Sequence, residues 1–491
     1  MYIKEDNIFS RSKKGKKGYT ILEENASLSL FDKYKDELAT FTSNEEPNLP
    51  ELSEPDVIRH FVRLSNMNYN VDLGFYPLGS CTMKYNPKIN EEVASLDGFK
   101  ELHPEQPDYT VQGALRIMHE LATYLAIISG MDAITLEPAA GAHGELTGIK
   151  IIKKYHEKNG EKRKYILIPD SAHGTNPAST QLAGYTAKTI KSNDLGMIDI
   201  EALQKHLNEE VAGLMVTNPN TLGIFEKDIK QIADMVHAKG ALMYMDGANL
   251  NALLGYIRPA DLGFDVLHFN LHKTFSTPHG GGGPGSGAIG VKAYLKEFLP
   301  GYEILKENGR YVKRRHGKNS IGKILAFMGH FTVMVKAYAY IRMIGREHLR
   351  EIAENAVINA NYLKKLVKDA GYKVPYDSIT MHEFVASAMQ IKKKYGIKAL
   401  DIAKRILDFG FHAPTVYFPL IVHEALMIEP TETESKETLE AFAKALKDIL
   451  KEAEENPEVL KSAPHNTPVG RLNDAYAVKH LRLKYEEKDE R

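Results

Sequence analysis

The chain has 491 residues, of which 43% are hydrophobic and 26% are charged, a composition typical of a globular protein and too apolar for wholesale disorder. Its 63 Lys and Arg nearly balance its 64 Asp and Glu, so no basic excess indicates a nucleic acid or an anionic membrane as partner. The single cysteine, Cys81, excludes an internal disulfide framework and fits a reducing compartment.

Residues 1–115 are predicted to form an N-terminal arm followed by a loop segment. The stretch 56–64 has helical periodicity, and the Pro-rich stretch 44–51 before it interrupts helices. Gly and Pro are scattered through residues 66–115, which favours loops. The first 20 residues lack the apolar core of a secretory signal, and no run of about 18 uncharged apolar residues is present. We therefore expect a soluble cytoplasmic protein.

Residues 116–330 are predicted to form a large α/β domain. Five apolar stretches have the length and composition of strands: 133–137, 164–169, 211–217, 241–246 and 266–270. Helical periodicity marks three stretches between or before them: 113–129, 139–154 and 229–239. Helices that alternate with apolar strands predict a mostly parallel sheet with helices on both faces. A further helical stretch runs from about 321 to 343, and residues 331–491 are predicted to form a smaller C-terminal α+β domain.

Three polar residues stand at the carboxyl ends of successive predicted strands of the large domain: Asn218, Asp246 and Lys273. In open α/β sheets, ligands bind at this edge, so we expect these side chains in one site. A Lys at a strand end is, by itself, usually a solvated surface residue. Its combination with Asn218 and Asp246 at successive strand ends instead indicates a binding site.

These groups match the requirements of pyridoxal phosphate. A Lys amine holds this cofactor as a Schiff base, and a carboxylate such as Asp246 keeps the pyridine nitrogen protonated. An amide such as Asn218 can bond to the ring hydroxyl, and the small Ala248 lets the ring lie flat. A helix N terminus, which residues 139–142 supply, suits the phosphate. His173 follows the next predicted strand and can stack on the ring.

Eight sequence runs, spread from about residue 65 to 480, carry a more specific signal. They are FYPLGSCTMKYNP (75–87), EPAAGAHGE (137–145), SAHGTNPAS (171–179), DGAN (246–249), LHKTF (271–275), the Gly-rich stretch 278–287, HAPTVYFP (412–419) and EPTETESK (429–436). The Lys–Asp pair alone would indicate only the cofactor class. Together the runs resemble the fold-type I pyridoxal-phosphate enzymes, and within them the glycine decarboxylase P-proteins, specifically subunit 2 of the split, two-chain form.

The resemblance implies an aspartate-aminotransferase-like fold and roles for individual residues. Lys273 matches the lysine that carries pyridoxal 5'-phosphate, Asp246 the partner of the pyridine nitrogen, and His173 the ring that stacks on the cofactor. The phosphate cradle matches Ala140, Gly141 and Ala142.

Other positions match the family's site less directly. Thr175 and Asn218 are expected near the ring hydroxyl. His272 is expected to touch the phosphate or to gate the substrate. His143, on the phosphate-loop helix, competes with His173 for the stacking position and with His272 for proton transfer.

The resemblance also implies the activity of a glycine dehydrogenase (aminomethyl-transferring, decarboxylating) of the glycine cleavage system. Glycine loses CO2, and its aminomethyl group passes to the lipoyl arm of H-protein. The implied partners are lipoylated H-protein and a subunit 1, in a heterotetramer with two copies of each subunit. The stretches 75–87 and 278–287 are expected to form the walls of the path for the lipoyl arm.

Some alternatives stay open at the level of sequence. The same residues fit another fold-type I enzyme, an aminotransferase or an amino-acid decarboxylase that acts as a homodimer. A non-catalytic scaffold subunit would be expected to lack the lysine. The histidines show no metal-ligand spacing, so we expect no metal. Arg258 and Arg471 are candidates for the glycine carboxylate, and the role of Cys81 is unassigned.

Overall fold

The computed structural model describes residues 5–18, 32–43, 45, 47–278 and 285–485. The chain divides into two units, one formed by Met1–Asn70 with Pro464–Arg491 and the other by Val71–Ala463. The division at residues 115 and 330, which the sequence pattern indicates, stays a prediction. Within the described ranges, no helix is both long enough and apolar enough to cross a membrane.

Among the described residues of the first unit, α-helices span Lys35–Leu38, Glu54–Asn66 and Asp474–Lys479, and a 3-10 helix spans Ile8–Arg11. The helix at Glu54–Asn66 contains the helical stretch predicted at 56–64. Its start is stabilised by Asp56, which accepts hydrogen bonds from the backbone N–H and the hydroxyl of Ser53, as is common in first turns. Its His60 lies 2.8 Å from the buried carboxylate of Glu5.

The second unit is built around a seven-stranded sheet of order β1-β7-β6-β5-β4-β2-β3. The strands are β1 (Ala133–Thr135), β2 (Tyr165–Pro169), β3 (Thr186–Ile190), β4 (Val211–Thr217), β5 (Leu242–Gly247), β6 (Val266–Phe269) and β7 (Ile289–Val291). Four neighbouring pairs are parallel, and only β7 runs antiparallel to its two neighbours. The predicted mostly parallel sheet is confirmed.

Helices cover both faces of this sheet. The helices of the second unit are α1 (Lys88–Ala94), α2 (Asp97–Lys100), α3 (Gln112–Ser129), α4 (Gly141–Lys158), α5 (Thr175–Leu182), α6 (Ile200–His206), α7 (Ile229–His237), α8 (Phe331–Asp369), α9 (Met389–Tyr395), α10 (Ala399–Asp408), α11 (Lys436–Glu455) and α12 (Pro457–Ser462). Side chains of a strand alternate between faces, so Leu214 of β4 joins the core of α3 and α7, whereas Met215 joins that of α4.

The helix predicted from about 321 to 343 begins later than expected. Helix α8 starts at Phe331 and continues to Asp369, with a break in helical geometry at Gly345. Gly322 and Gly329 both have positive φ, a conformation that ends regular helix and that glycine adopts readily. The predicted start at 321 is therefore wrong by ten residues.

A β-hairpin before this helix was not predicted. It consists of β8 (Tyr302–Glu307) and β9 (Arg310–Arg315), which pair antiparallel. The turn between them is Asn308-Gly309, with φ of 48° and 79°, the pair of residues preferred in two-residue hairpin turns. The basic run at 313–315 thus belongs to a strand.

The C-terminal part of the second unit carries a separate three-stranded antiparallel sheet. Its order is β10 (Phe384–Ser387), β12 (Ala425–Ile428) and β11 (Thr415–Val416). Its core includes buried residues of α8, α10 and α11. Leu78 forms an isolated bridge to Ile428, and this contact brings the segment 78–85 along the end of β12.

Candidate active site

A cavity of about 170 Å³ lies at the carboxyl ends of β4, β5 and β6. Eight of the residues singled out from the sequence line it: Gly141, Ala142, His173, Thr175, Asp246, Ala248, His272 and Lys273. Six further residues, to which the sequence assigned no individual role, also line it: Ser80 of the stretch 75–87, Glu145 of the run 137–145, Thr217, Thr221, His268 and Asn270. Parallel strands end at the same edge, so residues distant in sequence meet there.

Asp246 is held in place by its neighbours on three sides. Its Oδ1 accepts a hydrogen bond of 2.9 Å from the backbone N–H of Ala248. Its Oδ2 accepts bonds from Asn176 Nδ2 at 3.2 Å and from Thr217 Oγ1 at 3.4 Å. These bonds direct a buried carboxylate toward the cavity that it lines.

The charge state of Asp246 follows from opposing effects. Burial by itself raises the pKa of a carboxyl group, but electrostatic attraction to His268 and Lys273 outweighs it, so the pKa of Asp246 lies below its usual value. The side chain is therefore a carboxylate at neutral pH. Such a group can hold a proton on a ring nitrogen that faces it.

His268 of β6 lies beside Asp246 of β5 because these residues are paired in the parallel register. Its Nε2 is 3.2 Å from Asp246 Oδ1, and its Nδ1 is 2.8 Å from the hydroxyl of Tyr244. Nδ2 of Asn270 lies 3.0 Å from the same Nε2. Burial lowers the pKa of His268, and the charge of Asp246 opposes this effect. The available sequence signal for His268 was its position, five residues before Lys273.

The N terminus of α4 opens onto the cavity without a cap of its own. Its N-cap, Ala140, provides no side-chain acceptor, and its first turn contains no acidic residue. The helix start therefore offers unneutralised N–H groups to an anion. A Cβ at Gly141 would overlap Oδ1 of Asn270, so any larger residue here would force this buried amide or the helix start to move. These features fit a phosphate group.

Two residues of the predicted phosphate loop do not line the cavity. Ala140 lies behind the helix start, where its carbonyl packs against Gly287. His143 accepts a hydrogen bond of 3.2 Å from the backbone N–H of Ala139 at Nδ1, and partial burial lowers its pKa. Its ring is thus engaged with the loop, whereas His173 lines the cavity.

His173 belongs to a short chain of polar contacts at the cavity wall. Its Nδ1 accepts a bond of 3.2 Å from the backbone N–H of Thr175 and lies 2.8 Å from the Thr175 hydroxyl. That hydroxyl donates to Glu145 Oε1 at 2.7 Å. Burial, reinforced by the charge of Asp246, raises the pKa of Glu145 to about 7. The ring of His173 also packs edge-on against Phe418, with centroids 5.6 Å apart.

Lys273 reaches across the cavity to the segment 78–85. Its Nζ donates a hydrogen bond of 2.7 Å to the carbonyl of Ser80. The preceding His272 lines the cavity and accepts a 3.3 Å bond from the backbone N–H of Ser286 at Nδ1. Of the Gly-rich stretch 278–287, predicted to form a wall of the path for the lipoyl arm, residues 279–284 lie outside the described residues.

Other sequence candidates occupy different places. Asn218 is buried, and its Oδ1 accepts a bond of 3.1 Å from the backbone N–H of Glu226; Thr217 and Thr221, not Asn218, line the cavity. Arg258 forms an ion pair with Asp261 at 2.8 Å. Arg471 belongs to the first unit of the chain.

Known protein families match most of the second unit. A family model described as aminotransferase class-V matches residues 145–328, and one described as glycine dehydrogenase, C-terminal domain, matches residues 352–467. The first match contains Lys273, Asp246 and His173. The second contains much of the three-stranded sheet and the helices around it.

Full-length relatives share more than half of the sequence. A protein of Chlorobium chlorochromatii named probable glycine dehydrogenase (decarboxylating) subunit 2 is 57% identical over 98% of this chain and 99% of its own length. Proteins of the same name are 58% identical in Caldanaerobacter subterraneus, over 97% of this chain and 98% of theirs, and 57% identical in Thermotoga maritima, over 96% and 98%.

Solved structures show the same architecture. Glycine decarboxylase (P-protein) of the glycine cleavage system, in inhibitor-bound form, superimposes with a TM-score of 0.75 at 20% identity, over 88% of this chain and 99% of that one. A NifS-like protein superimposes with a TM-score of 0.60 at 15% identity, over 77% and 99%. These likenesses confirm the predicted fold.

Proposed function

This chain belongs to the family of glycine dehydrogenase (decarboxylating) subunit 2 proteins, and from that premise we propose that it catalyses the pyridoxal-phosphate-dependent decarboxylation of glycine. The observation that carries the proposal is the single cavity where Lys273 and Asp246 face the uncapped N terminus of α4. An amine, a buried carboxylate and an anion-binding helix start are the three groups that this cofactor needs.

The residues around the cavity fit pyridoxal 5'-phosphate. Lys273 would hold the cofactor through its Nζ, and Asp246 would face the pyridine nitrogen. The first N–H groups of α4, at Gly141 and Ala142, would receive the phosphate. His173 is the candidate for stacking on the ring, and Ala248 leaves room for it.

When bound, pyridoxal phosphate supplies a protonated ring that accepts the electron pair left behind as CO2 departs from glycine. Asp246 contributes the negative charge that keeps the proton on the ring nitrogen, since its own pKa is depressed. His268, whose Nε2 lies 3.2 Å from Oδ1 of Asp246, orients that carboxylate. Lys273 would hold the cofactor until glycine binds, and its amine would then be available to exchange protons near the substrate carbon.

The proposal includes transfer of the aminomethyl group to a lipoyl disulfide. The glycine carbon forms a bond to one lipoyl sulfur, the S–S bond breaks, and the second sulfur takes up a proton. The disulfide is thereby reduced and the glycine carbon oxidised as CO2 leaves. We infer that the disulfide is carried by lipoylated H-protein and that its arm passes the segment 75–87.

The word "subunit 2" in the relatives' names supports a partner subunit for this chain. We propose a heterotetramer with two copies of this chain and two of subunit 1. We also propose a cytoplasmic location, because a chain with one cysteine suits a reducing compartment.

The test is exchange of labelled bicarbonate into the carboxyl group of glycine. The chain, loaded with pyridoxal phosphate, is assayed with and without subunit 1 and with and without lipoylated H-protein. Exchange that requires both partners and Lys273 supports the proposal. A chain that binds the cofactor but shows no exchange under any condition points to another fold-type I enzyme, an aminotransferase or a different decarboxylase.

A further inference from the structure

Two buried glutamates lie behind Lys273, at the edge of the small sheet. Glu383 directly precedes β10 and Glu429 directly follows β12, and both side chains are inaccessible to solvent. Phe384 pairs with Ile428 in the antiparallel register, so the two glutamates are the next residues outward on paired strands. Carboxylate oxygens of the two glutamates and a ring nitrogen of His382 lie within 4.8 Å of one another.

Each glutamate holds one residue of the segment 78–85. Glu383 Oε2 accepts a bond of 2.6 Å from the backbone N–H of Ser80. Glu429 accepts from the backbone N–H of Thr82 at 3.0 Å and from its hydroxyl at 2.6 Å. Ser80 and Thr82 have φ of 63° and 47°, a left-handed conformation that is costly for residues other than glycine. The carboxylates stabilise that conformation.

The backbone conformation of Ser80 also sets the position of its carbonyl oxygen, which is hydrogen-bonded to Lys273. Its carbonyl oxygen accepts the hydrogen bond from Lys273 Nζ. The Glu383 carboxylate and the Lys273 amine therefore bind the backbone N–H and the carbonyl of the same residue, Ser80. A shift of this turn would move the acceptor that orients the amine.

The charges around the two glutamates do not favour two full negative charges. Lys273 acts on both glutamates, whereas the buried Lys84 pairs with Glu432 at 2.6 Å. Burial lowers the pKa of His382 to about 3, so this ring is neutral. Burial raises the pKa of the Cys81 thiol between the two turn residues, so it is uncharged as well. Among the described residues, Lys273 is thus the cation that acts on both carboxyl groups.

The two carboxyl groups respond to this environment in the same direction. Burial, with the charge of Glu429 added, raises the pKa of Glu383 well above its usual value. Burial raises the pKa of Glu429 to about 7. Two carboxyl groups this close in a buried place titrate as a pair, and one of them keeps its proton.

We propose that Glu383 and Glu429 share one proton and act together as positioning residues for the Lys273 amine. They hold the Ser80 carbonyl against the amine, and they present one negative charge to it instead of two. The proposal rests on the proposed function only where Lys273 is taken as the cofactor-binding lysine. The protonation of the pair itself can be tested in the cofactor-free chain.

The first experiment detects the shared proton by infrared difference spectroscopy of the cofactor-free chain at neutral pH. Glu383→Gln and Glu429→Gln retain the size of the side chain and an oxygen that accepts the turn's N–H groups. If one proton is shared, each variant loses the band of one protonated carboxyl group, because the remaining glutamate stays ionised opposite Lys273. Glu226→Gln is the matched control, since burial also raises the pKa of Glu226 to about 7 and Glu226 does not line the cavity.

Two spectral outcomes overturn the proposal. Loss of a carboxylate band in both variants would show that both glutamates are ionised. Loss of the protonated band in only one variant would show that the proton belongs to one residue. Metal analysis of the same samples covers a third case: a stoichiometric divalent cation that both variants lose would replace the shared proton.

The second experiment measures the pH midpoint of the cofactor absorbance change in the loaded chain. If the pair carries one negative charge, the pH midpoint of the absorbance change in each single Gln variant should lie close to that of the wild type. The double variant loses the only charge and shifts the midpoint down by about one pH unit or more. Equal and additive shifts in the single variants would contradict sharing. If the double variant does not fold, the infrared spectra of the single variants still decide.

These outcomes separate the inference from the proposed function. A chain that shows the shared proton but fails the bicarbonate exchange retains the pair and loses the proposed reaction. A chain that exchanges bicarbonate but lacks the protonated band retains the reaction and loses the pair.

Discussion

Nζ of Lys273 donates a 2.7 Å hydrogen bond to the carbonyl oxygen of Ser80, although the two residues are 193 positions apart in the chain. The bond ties the large sheet to a loop segment that is itself held by the small sheet. The orientation of the amine therefore depends on three separate parts of the fold.

Removal of the amine should abolish cofactor attachment. Lys273→Ala is expected to lose the absorbance band of bound pyridoxal phosphate and to reduce bicarbonate exchange by at least about 10³-fold. Lys239→Ala is the control, because that lysine pairs with Glu209 at the surface and lies outside the cavity. A normal band in Lys273→Ala would show that another amine holds the cofactor.

Loss of His268 should alter the ionisation of Asp246. Attraction to His268 helps to lower the pKa of Asp246, so His268→Phe is expected to raise it. The acidic limb of the pH profile of kcat/KM should move upward by about one pH unit. Tyr244→Phe, which removes only the hydroxyl bonded to His268, should move it less. An unchanged acidic limb in His268→Phe would show that His268 does not lower the pKa of Asp246.

A side chain at Gly141 should weaken cofactor binding. The added Cβ of Gly141→Ala would overlap Oδ1 of the buried Asn270, so either that amide or the start of α4 must shift. Overpacking of this kind costs about 1–3 kcal/mol, so the cofactor dissociation constant is expected to rise about tenfold or more. Gly113→Ala, in the first turn of α3 with no atom near the added Cβ, should leave the constant unchanged. Equal affinities in the two variants would contradict a tight helix start.

The pair of His237 and Asp265 should make stability depend on pH. His237 Nε2 lies 2.7 Å from Asp265, and this hydrogen bond raises the pKa of His237. The protonated ring stabilises the folded state fully below the unfolded pKa, and the contribution disappears as pH rises through the folded pKa. His237→Gln is expected to destabilise the protein by about 1 kcal/mol at pH 5.5, after allowance for partial exposure, and less at pH 9. Thermal unfolding at both pH values gives the comparison, and an equal loss at both would refute the charged pair.

The thiol of Cys81 should react slowly. Burial raises its pKa, whereas the charge of Lys273 lowers it, so the thiolate fraction is small near neutral pH. Alkylation by iodoacetamide at pH 8 is expected to be about tenfold slower than that of free cysteine. It should be slower still in Lys273→Ala, where the favourable charge is lost. Because the chain has one cysteine, incorporated label reports on Cys81 alone. A faster reaction in Lys273→Ala would show that the charge of Lys273 does not lower the pKa of the thiol.

Local patterns predicted much of the large domain. The strand that ends at Asp246 and the strand before Lys273 were recognisable because parallel strands buried on both faces are continuous apolar runs. The start of α8 was misplaced because two glycines, Gly322 and Gly329, interrupt a helical pattern by backbone conformation. The hairpin turn at Asn308-Gly309 was overlooked although its sequence signal was present.

The residues of the candidate site also differ in whether local sequence patterns predict them. Lys273, Asp246 and the helix start at Gly141 were found from sequence because each belongs to a strand end or a helix N terminus whose chemistry is local. His268 and Glu145 escaped notice because a buried polar residue in an apolar strand or helix has no signal of its own. Asn218 was expected at the ring, but the cavity is lined by its neighbour Thr217.

The class of fold, the family and the residue types of the site can be predicted from the sequence, because they depend on periodicity, strand ends and motifs that are contiguous in the chain. Only the tertiary structure brought Glu383 and Glu429 together behind Ser80. Their proximity arises from the antiparallel register of β10 and β12, and their shifted pKa values arise from burial. Register and burial are properties of packing between segments that are distant in sequence, so no local pattern records them.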